Sequence, residues 1–531
     1  MMDRIDRAVR DDRQPSMRTK PSISGLIENL RLNSWAISAA LLIVAFLAGM
    51  AAVQYATPNM PDNDGFYHIR FAELMREESL KPEFPWLPLT ILNSREFSDH
   101  HFLFHVALIP FTFGDLRLGA KLAAVLFASI AFLCVWILLR SQKVPFAMLW
   151  SLGLLAVSEA FLYRMSITRA QSLSLAVLVI GLYLMFTQRY RWLMPLAFFY
   201  VWFYDAFPLL FIQAGIFLLA TWMMDRKIDA RPLIYVGVGT LLGLVINPYF
   251  PDNIIFFLRH LAPKLAETTS VSVGNEWYPY NTKQIMENSP LALAAFLSGT
   301  LALGLNDKRM DAKVATGFIS AIFFGILLFQ SRRFIEYFPP YSLIFAALAW
   351  TPLMGSLAER VTFRVRWKER HYQVASTTKG WIATGILLLF LLPGIGITLD
   401  GARSSIRGSK PYTLYSEASR WLVENAPAGS LVFQSDWDDF PRLFYYNTQN
   451  SYLIGLDPTY MQLYDDDLYD LWVKITRGDV ERPSEYIYPR FGARYVMTDL
   501  KHGDFILRAD KDPGLVEVYR DREAVIYQAT E

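Results

Sequence analysis

A succession of long apolar runs separated by short polar connections dominates this sequence. Runs of roughly 17–25 apolar residues have the length to cross a bilayer as helices. Eleven of them, some short, centre on residues 35–55, 117–139, 145–162, 171–188, 192–205, 207–224, 232–247, 290–305, 313–331, 334–353 and 380–398. The runs at 192–205 and 207–224 meet at Tyr204-Asp205-Ala206-Phe207-Pro208, which reads as a break between two spans. With 53% hydrophobic and 19% charged residues and a mean hydropathy of +0.24, the chain is too apolar for a soluble protein of 531 residues. A net charge of +2 provides no global field for nucleic acid. The single cysteine, Cys134, excludes an intrachain disulfide and a CxxC site.

Basic residues orient the spans. With the N-terminus cytoplasmic, one side of the membrane collects Arg140/Lys143, Arg189/Arg191, Arg226/Lys227/Arg231, Lys308/Arg309/Lys313 and a 359–379 loop. That loop carries Arg360, Arg364, Arg366, Lys368, Arg370 and Lys379. Residues 1–31 read as a basic cytoplasmic arm lying beside anionic lipid. The apolar run from Trp35 to Val53 is longer than a signal-peptide core. An odd number of spans places residues 400–531 outside. There SEASRWLVENAP reads as a helix closed by Pro427 and Gly429. LVFQS, SYLIGL, ARYVMTDL, LVEVYR and AVIYQ read as short strands. The expected fold is a polytopic α-helical membrane protein of about eleven spans over residues 32–399, with an outer loop at 56–116. A soluble extracytoplasmic α/β domain follows at 400–531.

This topology gathers ionisable groups on the outer face. The first outer loop holds Asp62, Asp64, His68, Arg70, Asp99, His100, His101 and His105, four of the seven histidines among them. Later outer turns hold Arg164 and Arg169, then Asp205, then Glu276 in SVSVGNEWYPY, then Arg332 and Arg333. Ionisable groups near membrane depth are costly and usually face a cavity or a partner. Acids with arginines at one interface suit a substrate carrying phosphate and hydroxyls, because guanidinium binds phosphate bidentately and a carboxylate takes a hydroxyl proton. Each group also has a plainer reading. Asp62 and Asp64 stand where helix N-caps would. Asp64 and His68, four apart, can pair on one helix face. His101 and His105 have a zinc-ligand spacing but no third ligand and no HExxH. Arg332, Arg333 and Glu276 beside Trp277 suit an interface without chemistry.

The stretch Asp62-Asn63-Asp64-Gly65-Phe66-Tyr67-His68-Ile69-Arg70 after the first span resembles the acidic motif of the GT-C glycosyltransferases, and most of all that of the oligosaccharyltransferase catalytic subunit. Residues 100–113 resemble the interfacial segment before the second span of that family. Ser272-Val273-Gly274-Asn275-Glu276 is similar to a Ser-Val-x-Glu-like outer-loop motif. Ser435-Asp436-Trp437-Asp438-Asp439-Phe440 stands where the soluble domain of those enzymes carries Trp-Trp-Asp-Tyr-Gly, without matching it. The chain departs from the family at the second acidic motif, where it has Arg169-Ala170-Gln171-Ser172, and in its span count of eleven rather than thirteen.

The resemblance implies an enzyme that moves a sugar from a polyprenyl-phosphate donor to a glycan, lipid or protein acceptor at the outer face, by single displacement with inversion. Asp64 is then the expected base, with Asp62 the alternate. Arg332 and Arg333, with Arg164 or Arg169, hold the leaving phosphate. His68, Arg70, Asp99, His100 and Glu276 bind substrate, and Trp437, Asp438, Asp439 and Gly455–Met461 face the acceptor. A divalent cation, Mg or Mn, would sit on Asp64 and Glu276. The expected location is a bacterial inner membrane with the C-terminal domain in the periplasm. A transporter fits less well, since polar residues crowd one interface and no repeat is present. A non-catalytic scaffold with a partner-binding outer domain predicts that the acids of 62–105 tolerate substitution. A phosphoethanolamine-type transferase needs a Ser or Thr nucleophile and a metal cluster in a large soluble domain, which the sequence lacks.

Overall fold

A computed structural model of the chain describes residues 23–265, 274–307, 309–355, 362–367, 370–375 and 378–530. The expected basic arm falls largely outside them, as do Ser272 and Val273 of the outer-loop motif and Arg360 and Lys368 of the inner loop. The chain opens with α1 (Ile23–Gln54), α2 (Asp64–Glu77), α3 (Phe102–Leu108), α4 (Leu116–Ser141), α5 (Ala147–Leu152), α6 (Glu159–Met165) and α7 (Gln171–Phe186). It continues through α8 (Leu193–Phe203), α9 (Pro208–Asp225), α10 (Arg231–Val245), α11 (Asp252–Leu265), α12 (Thr282–Asn288), α13 (Pro290–Leu305), α14 (Ala312–Leu328) and α15 (Phe338–Gly355). An antiparallel hairpin, β1 (Thr362–Trp367) and β2 (Arg370–Ala375), precedes α16 (Thr378–Arg407). The hairpin lies in the basic 359–379 segment, where the sequence reading gave only a loop.

All eleven apolar runs fall on helices, but they are not eleven comparable spans. Among the described residues, four helices are long and apolar enough to cross a membrane: Trp35–Gln54 of α1, α4, α9 and Thr384–Arg407 of α16. α12 and α13 together are as long and apolar, bent by 97° where Ser289 and Pro290 interrupt them. The run at 145–162 is broken. α5 gives way to a tight turn at Gly153–Leu155, and Ser158 then caps α6 by accepting from the Phe161 N–H at 3.0 Å. The break at Tyr204–Phe207 is present: α8 ends at Phe203 and α9 starts on Pro208, whose missing N–H is harmless at a first turn. α4 is central, with 67% of its apolar window buried, whereas α16 is peripheral at 18%. On α16, Ile386, Leu389, Leu392 and Ile397 face outward, a surface that water would not tolerate but lipid would.

The C-terminal region contains α17 (Ser416–Asn425), β3 (Leu431–Gln434), α18 (Phe440–Tyr446), β4 (Ser451–Tyr452), α19 (Thr459–Tyr464), α20 (Asp466–Thr476), α21 (Ser484–Tyr486), β5 (Tyr495–Asp499), α22 (Gly503–Ala509), β6 (Leu515–Arg520) and β7 (Ala524–Ala529). All five strands expected from sequence are there, in a mixed sheet ordered β4-β3-β5-β7-β6. β3 runs parallel to β4 and β5, while β7 is antiparallel to β5 and β6.

The 56–116 loop joins this sheet to the helices. Tyr67, Phe71, Phe84, Trp86 and Phe102 share one buried core with Tyr415, Phe440, Phe444, Tyr452 and Tyr460. Phe84 and Phe97 stack at 4.3 Å. The Trp86 indole donates to Thr448 O at 2.8 Å, and the Ile91 N–H donates to Tyr460 O at 3.1 Å. Aromatic burial of this kind contributes roughly 2–3 kcal/mol per ring, enough to hold the C-terminal domain against the helices. What lies between them is a cleft.

Candidate active site

The cleft encloses about 640 Å3 including its open mouth. Its walls come from three parts of the chain: Asp64 and His68 of α2, Arg169, Tyr204, Glu276 and Arg333 from the turns between helices, and Leu456, Asp457 and Tyr460 of the C-terminal domain.

Gly65 lets the first turn of α2 come close to the α6–α7 turn. A β-carbon at this position would lie 2.8 Å from Met60 Cε and 3.3 Å from Thr168 Cβ. The α6–α7 turn is itself stitched down by buried hydroxyls and an amide. Thr168 donates to Ala120 O of α4 at 3.0 Å, Gln171 to Arg164 O at 2.9 Å and Ser172 to Met165 O at 3.2 Å. Before α2, the buried Lys121 ammonium donates to Thr57 O and Asn59 O at 2.6 and 2.7 Å. Asp62, Asp64 and Arg169 thereby meet at a fixed place. Neither aspartate acts as the cap of α2. Asn63 holds the N-cap position without a capping bond, and its amide donates to the Asp438 carboxylate at 2.7 Å.

Arg169 binds three carboxylates. Its Nε lies 3.1 Å from Asp62, its Nη1 donates to Glu276 at 2.8 Å, and its Nη2 contacts Asp64. Glu276 also accepts from Arg164 Nη1 at 2.9 Å and faces Arg333 Nη2 at 3.5 Å. Burial alone would raise the Glu276 carboxyl; Arg169, Arg333 and Arg164 together override it and hold the group well below the usual carboxylate range. On the far side Arg164 is held by the buried Glu336. Arg333 is the loosest of these cations. Its guanidinium lies 4.7 Å from the Trp277 ring centre, and its polar contacts to Tyr204 Oη and Glu276 are both 3.5 Å.

A second network lies behind this one. Asp99 accepts from His105 Nδ1 at 2.8 Å, and His105 Nε2 meets His68 Nδ1 at 2.8 Å. With His105 Nδ1–H donating to Asp99, His105 Nε2 accepts from His68 Nδ1–H, which leaves a lone pair on His68 Nε2. Burial first, then the His105 and His100 imidazoles, hold His68 well below its ordinary pKa, so it is neutral. Asp64 and His68 do not pair, although they lie one turn apart. His100 and Asp205 line the cleft and also border, with Asp99, a second cavity of about 420 Å3; His100 stacks on Phe256 at 4.8 Å.

Other expected site residues lie elsewhere. Arg70 pairs with Glu73 and reaches Thr448 at 3.5 Å. Arg332 turns away from the cleft and lies 5.8 Å from the Tyr280 ring centre. Asp438 clamps Asn63, and Trp437 packs toward Gly274, where a β-carbon would be 3.7 Å from the ring. Neither borders the cleft; Leu456, Asp457 and Tyr460 do. Glu336, His260 and Tyr204 were not singled out from sequence. An acid in the run FIEYFPP, three residues after Arg333, was the available signal for Glu336; His260, 3.4 Å from Asp205, gave none beyond its helix pattern.

The expected Mg or Mn ligands, Asp64 and Glu276, do come together, but across a guanidinium. Among the described residues no three His, Cys, Asp or Glu side chains converge as ligands. Asp62, Asp64 and Glu276 are each paired to a separate nitrogen of the planar Arg169 guanidinium, which stands where an ion bridging them would have to sit, so they do not offer the free oxygen set that Mg requires. The site does not fit the ion.

No family model and no curated protein sequence matches the chain. Solved structures do. The oligosaccharyltransferase of Archaeoglobus fulgidus in its apo form superposes with a TM-score of 0.63 at 14% identity, covering 93% of this chain and 74% of that one. ArnT from Cupriavidus metallidurans, bound to undecaprenyl phosphate, gives 0.55 at 14% identity, covering 93% and 98%. The chain has the GT-C fold. The arabinofuranosyltransferase AftD from Mycobacteria shares it more distantly, with a TM-score of 0.52 at 12% identity and 41% of its length covered. Within the GT-C frame, the cleft lies between the helices and the C-terminal region that carries the sheet, and the fold expected from the Asp62–Arg70 stretch is the fold observed.

Proposed function

We propose that this protein transfers a sugar from a polyprenyl-phosphate donor to a hydroxyl- or amine-bearing acceptor in the cleft. The observation that carries the reading is one carboxylate, Asp64, and one loosely held guanidinium, Arg333, facing the same cleft in a GT-C fold. Two solved relatives support the donor class: the Archaeoglobus enzyme with a dolichol-phosphate and ArnT with undecaprenyl phosphate.

The acceptor nucleophile loses its proton to Asp64 and attacks the anomeric carbon. The bond from that carbon to the phosphate oxygen breaks, and the phosphate leaves with the electron pair. Arg169 fixes Asp64 through one side of the carboxylate. Arg333 takes the leaving phosphate, because its 3.5 Å contacts are the easiest in the cluster to exchange for bidentate phosphate bonds. Arg164 is already held by Glu276 and Glu336. His68 Nε2, a lone pair at the cleft wall, accepts a hydrogen bond from a sugar hydroxyl. Direct displacement of this kind inverts the anomeric centre. Leu456, Asp457 and Tyr460 face the acceptor. The reading places the cleft on the outer, periplasmic face of a bacterial inner membrane.

The test is release of lipid phosphate. Purified protein in detergent meets a panel of polyprenyl-phosphate sugars and acceptors, beside Asp64→Asn. Wild type releases lipid phosphate from at least one donor and the variant does not. Equal release by both proteins removes Asp64 from the chemistry, and no release from any donor by folded protein removes the transferase reading.

A further inference from the structure

We propose that Arg169 is the built-in cation of this site, standing where a divalent metal would otherwise join the acids, so that the cleft is complete without a metal ion. The role in transfer rests on the function proposed above; the claim about metal binding does not.

Three observations carry it. First, Arg169 spends all three guanidinium nitrogens on three different acids, Asp62, Asp64 and Glu276. Those acids come from two distant parts of the chain, the start of α2 and the loop before α12, and Arg169 from a third. The group that bridges these acids is a side chain: each meets a different nitrogen of Arg169. Second, the charge is nearly balanced. Asp62, Asp64, Glu276 and Glu336 face Arg164, Arg169 and Arg333, so a divalent ion would bring positive charge to acids that already have partners. Third, the turn that carries Arg169 is anchored by Thr168, Gln171 and Ser172, so the guanidinium is placed by buried hydrogen bonds. An ion would have to break several charge-assisted bonds at once to enter.

A fixed guanidinium and a metal ion differ in one way that can be measured. The guanidinium cannot be chelated away, and it does not exchange with solution. It also donates in a plane, which orients Asp64 with one oxygen committed and the other turned to the cleft.

The experiment has two arms on the full chain in detergent. In the first, MnCl2 is titrated against wild type and Glu276→Gln, and free Mn2+ is followed by its EPR signal. Both proteins should give the same curve, with no site at micromolar affinity. Stoichiometric uptake by wild type that Glu276→Gln abolishes would overturn the proposal. In the second arm, lipid-phosphate release is compared in EDTA and in MgCl2 or MnCl2, with Arg169→Met and Arg169→Lys alongside. Wild-type rates should agree within about two-fold, and Arg169→Met should lose about 100-fold with no rescue by either metal. Arg169→Lys, which keeps the charge but not the fork, should recover only part of that loss. Loss of wild-type activity in EDTA with recovery on adding Mn2+ would overturn the proposal. If no donor is turned over under any condition, the transferase reading fails and the Mn2+ titration still decides this one.

Discussion

Two polar networks meet on α2, and they are built differently. Asp64 belongs to the guanidinium–carboxylate cluster, whose Asp62, Asp64, Arg169 and Glu276 side chains keep 16–27% of their surface exposed. His68, one turn on, belongs to the Asp99–His105–His68 chain, whose Asp99 and His105 side chains are 1% and 0% exposed. The cluster is charged and open, so a ligand can replace one of its partners. The chain is mostly shut: Asp99, His105 and His68 Nδ1 already have their hydrogen bonds, and His68 alone of the three borders the cleft. Charge that is partly solvated can be exchanged at modest cost, whereas a buried polar group left unpaired costs its whole desolvation energy. The proposed chemistry therefore falls in the open network, and the closed one is the latch that joins α2 to α3 through His68 and His105.

The largest effect expected from this contrast is at Asp64. Asp64→Asn should lower kcat by about 10³-fold while leaving donor binding and thermal midpoint near wild type. Next comes Arg333. Arg333→Ala should lower transfer by about 100-fold and weaken binding of polyprenyl phosphate, while Arg332→Ala, next door but packed over Tyr280, should keep binding within about three-fold. Equal losses at the two positions would break the assignment. His105→Ala should behave in the opposite way. It leaves Asp99 Oδ2 and His68 Nδ1 without His105, a cost of about 1–3 kcal/mol per buried group, read as a lower thermal midpoint with kcat lost by less than about ten-fold.

The smallest effect lies in the C-terminal domain. Asp439 is buried, and its Oδ2 has no partner among the described residues. Burial, then the Asp436 and Asp499 carboxylates, hold its carboxyl well above its ordinary value of 3.8. The folded state therefore keeps a proton that the unfolded chain releases. That contribution to stability is full below about pH 3.8 and is lost as pH rises through the folded-state value. Asp439→Asn should raise the thermal midpoint at pH 8, by roughly 2–4 °C per kcal/mol regained, and by less at pH 4. A larger gain at pH 4 would contradict this.

Much of this was legible in the sequence because it is periodic or local. The apolar runs mark the helices, and short β-forming runs between turn residues mark the five strands. The motif Asp62-Asn63-Asp64-Gly65 marks the cleft because two acids and a glycine before a helix restrict what can stand beside them. The number of true spans was not legible. Hydropathy cannot see that Ser158 caps a new helix inside 145–162, or that Ser289 and Pro290 bend α12 against α13. Partner choice was not legible either. Asp64 and His68 have the spacing of a pair, and only the tertiary fold brings Arg169 to one and His105 to the other. Arg332 and Arg333 are adjacent letters that face different ways because a short 3₁₀ turn carries them. Trp437 and Asp438 looked like an acceptor platform, yet Asp438 is committed to Asn63.

The most direct test of the central claim is to see where a lipid phosphate binds. A cryo-EM structure of the full chain with undecaprenyl phosphate should show the phosphate within hydrogen-bond distance of Arg333, in the cleft that Asp64 and Glu276 line. A phosphate bound instead at the basic 359–379 segment, with the cleft unchanged, would contradict the account.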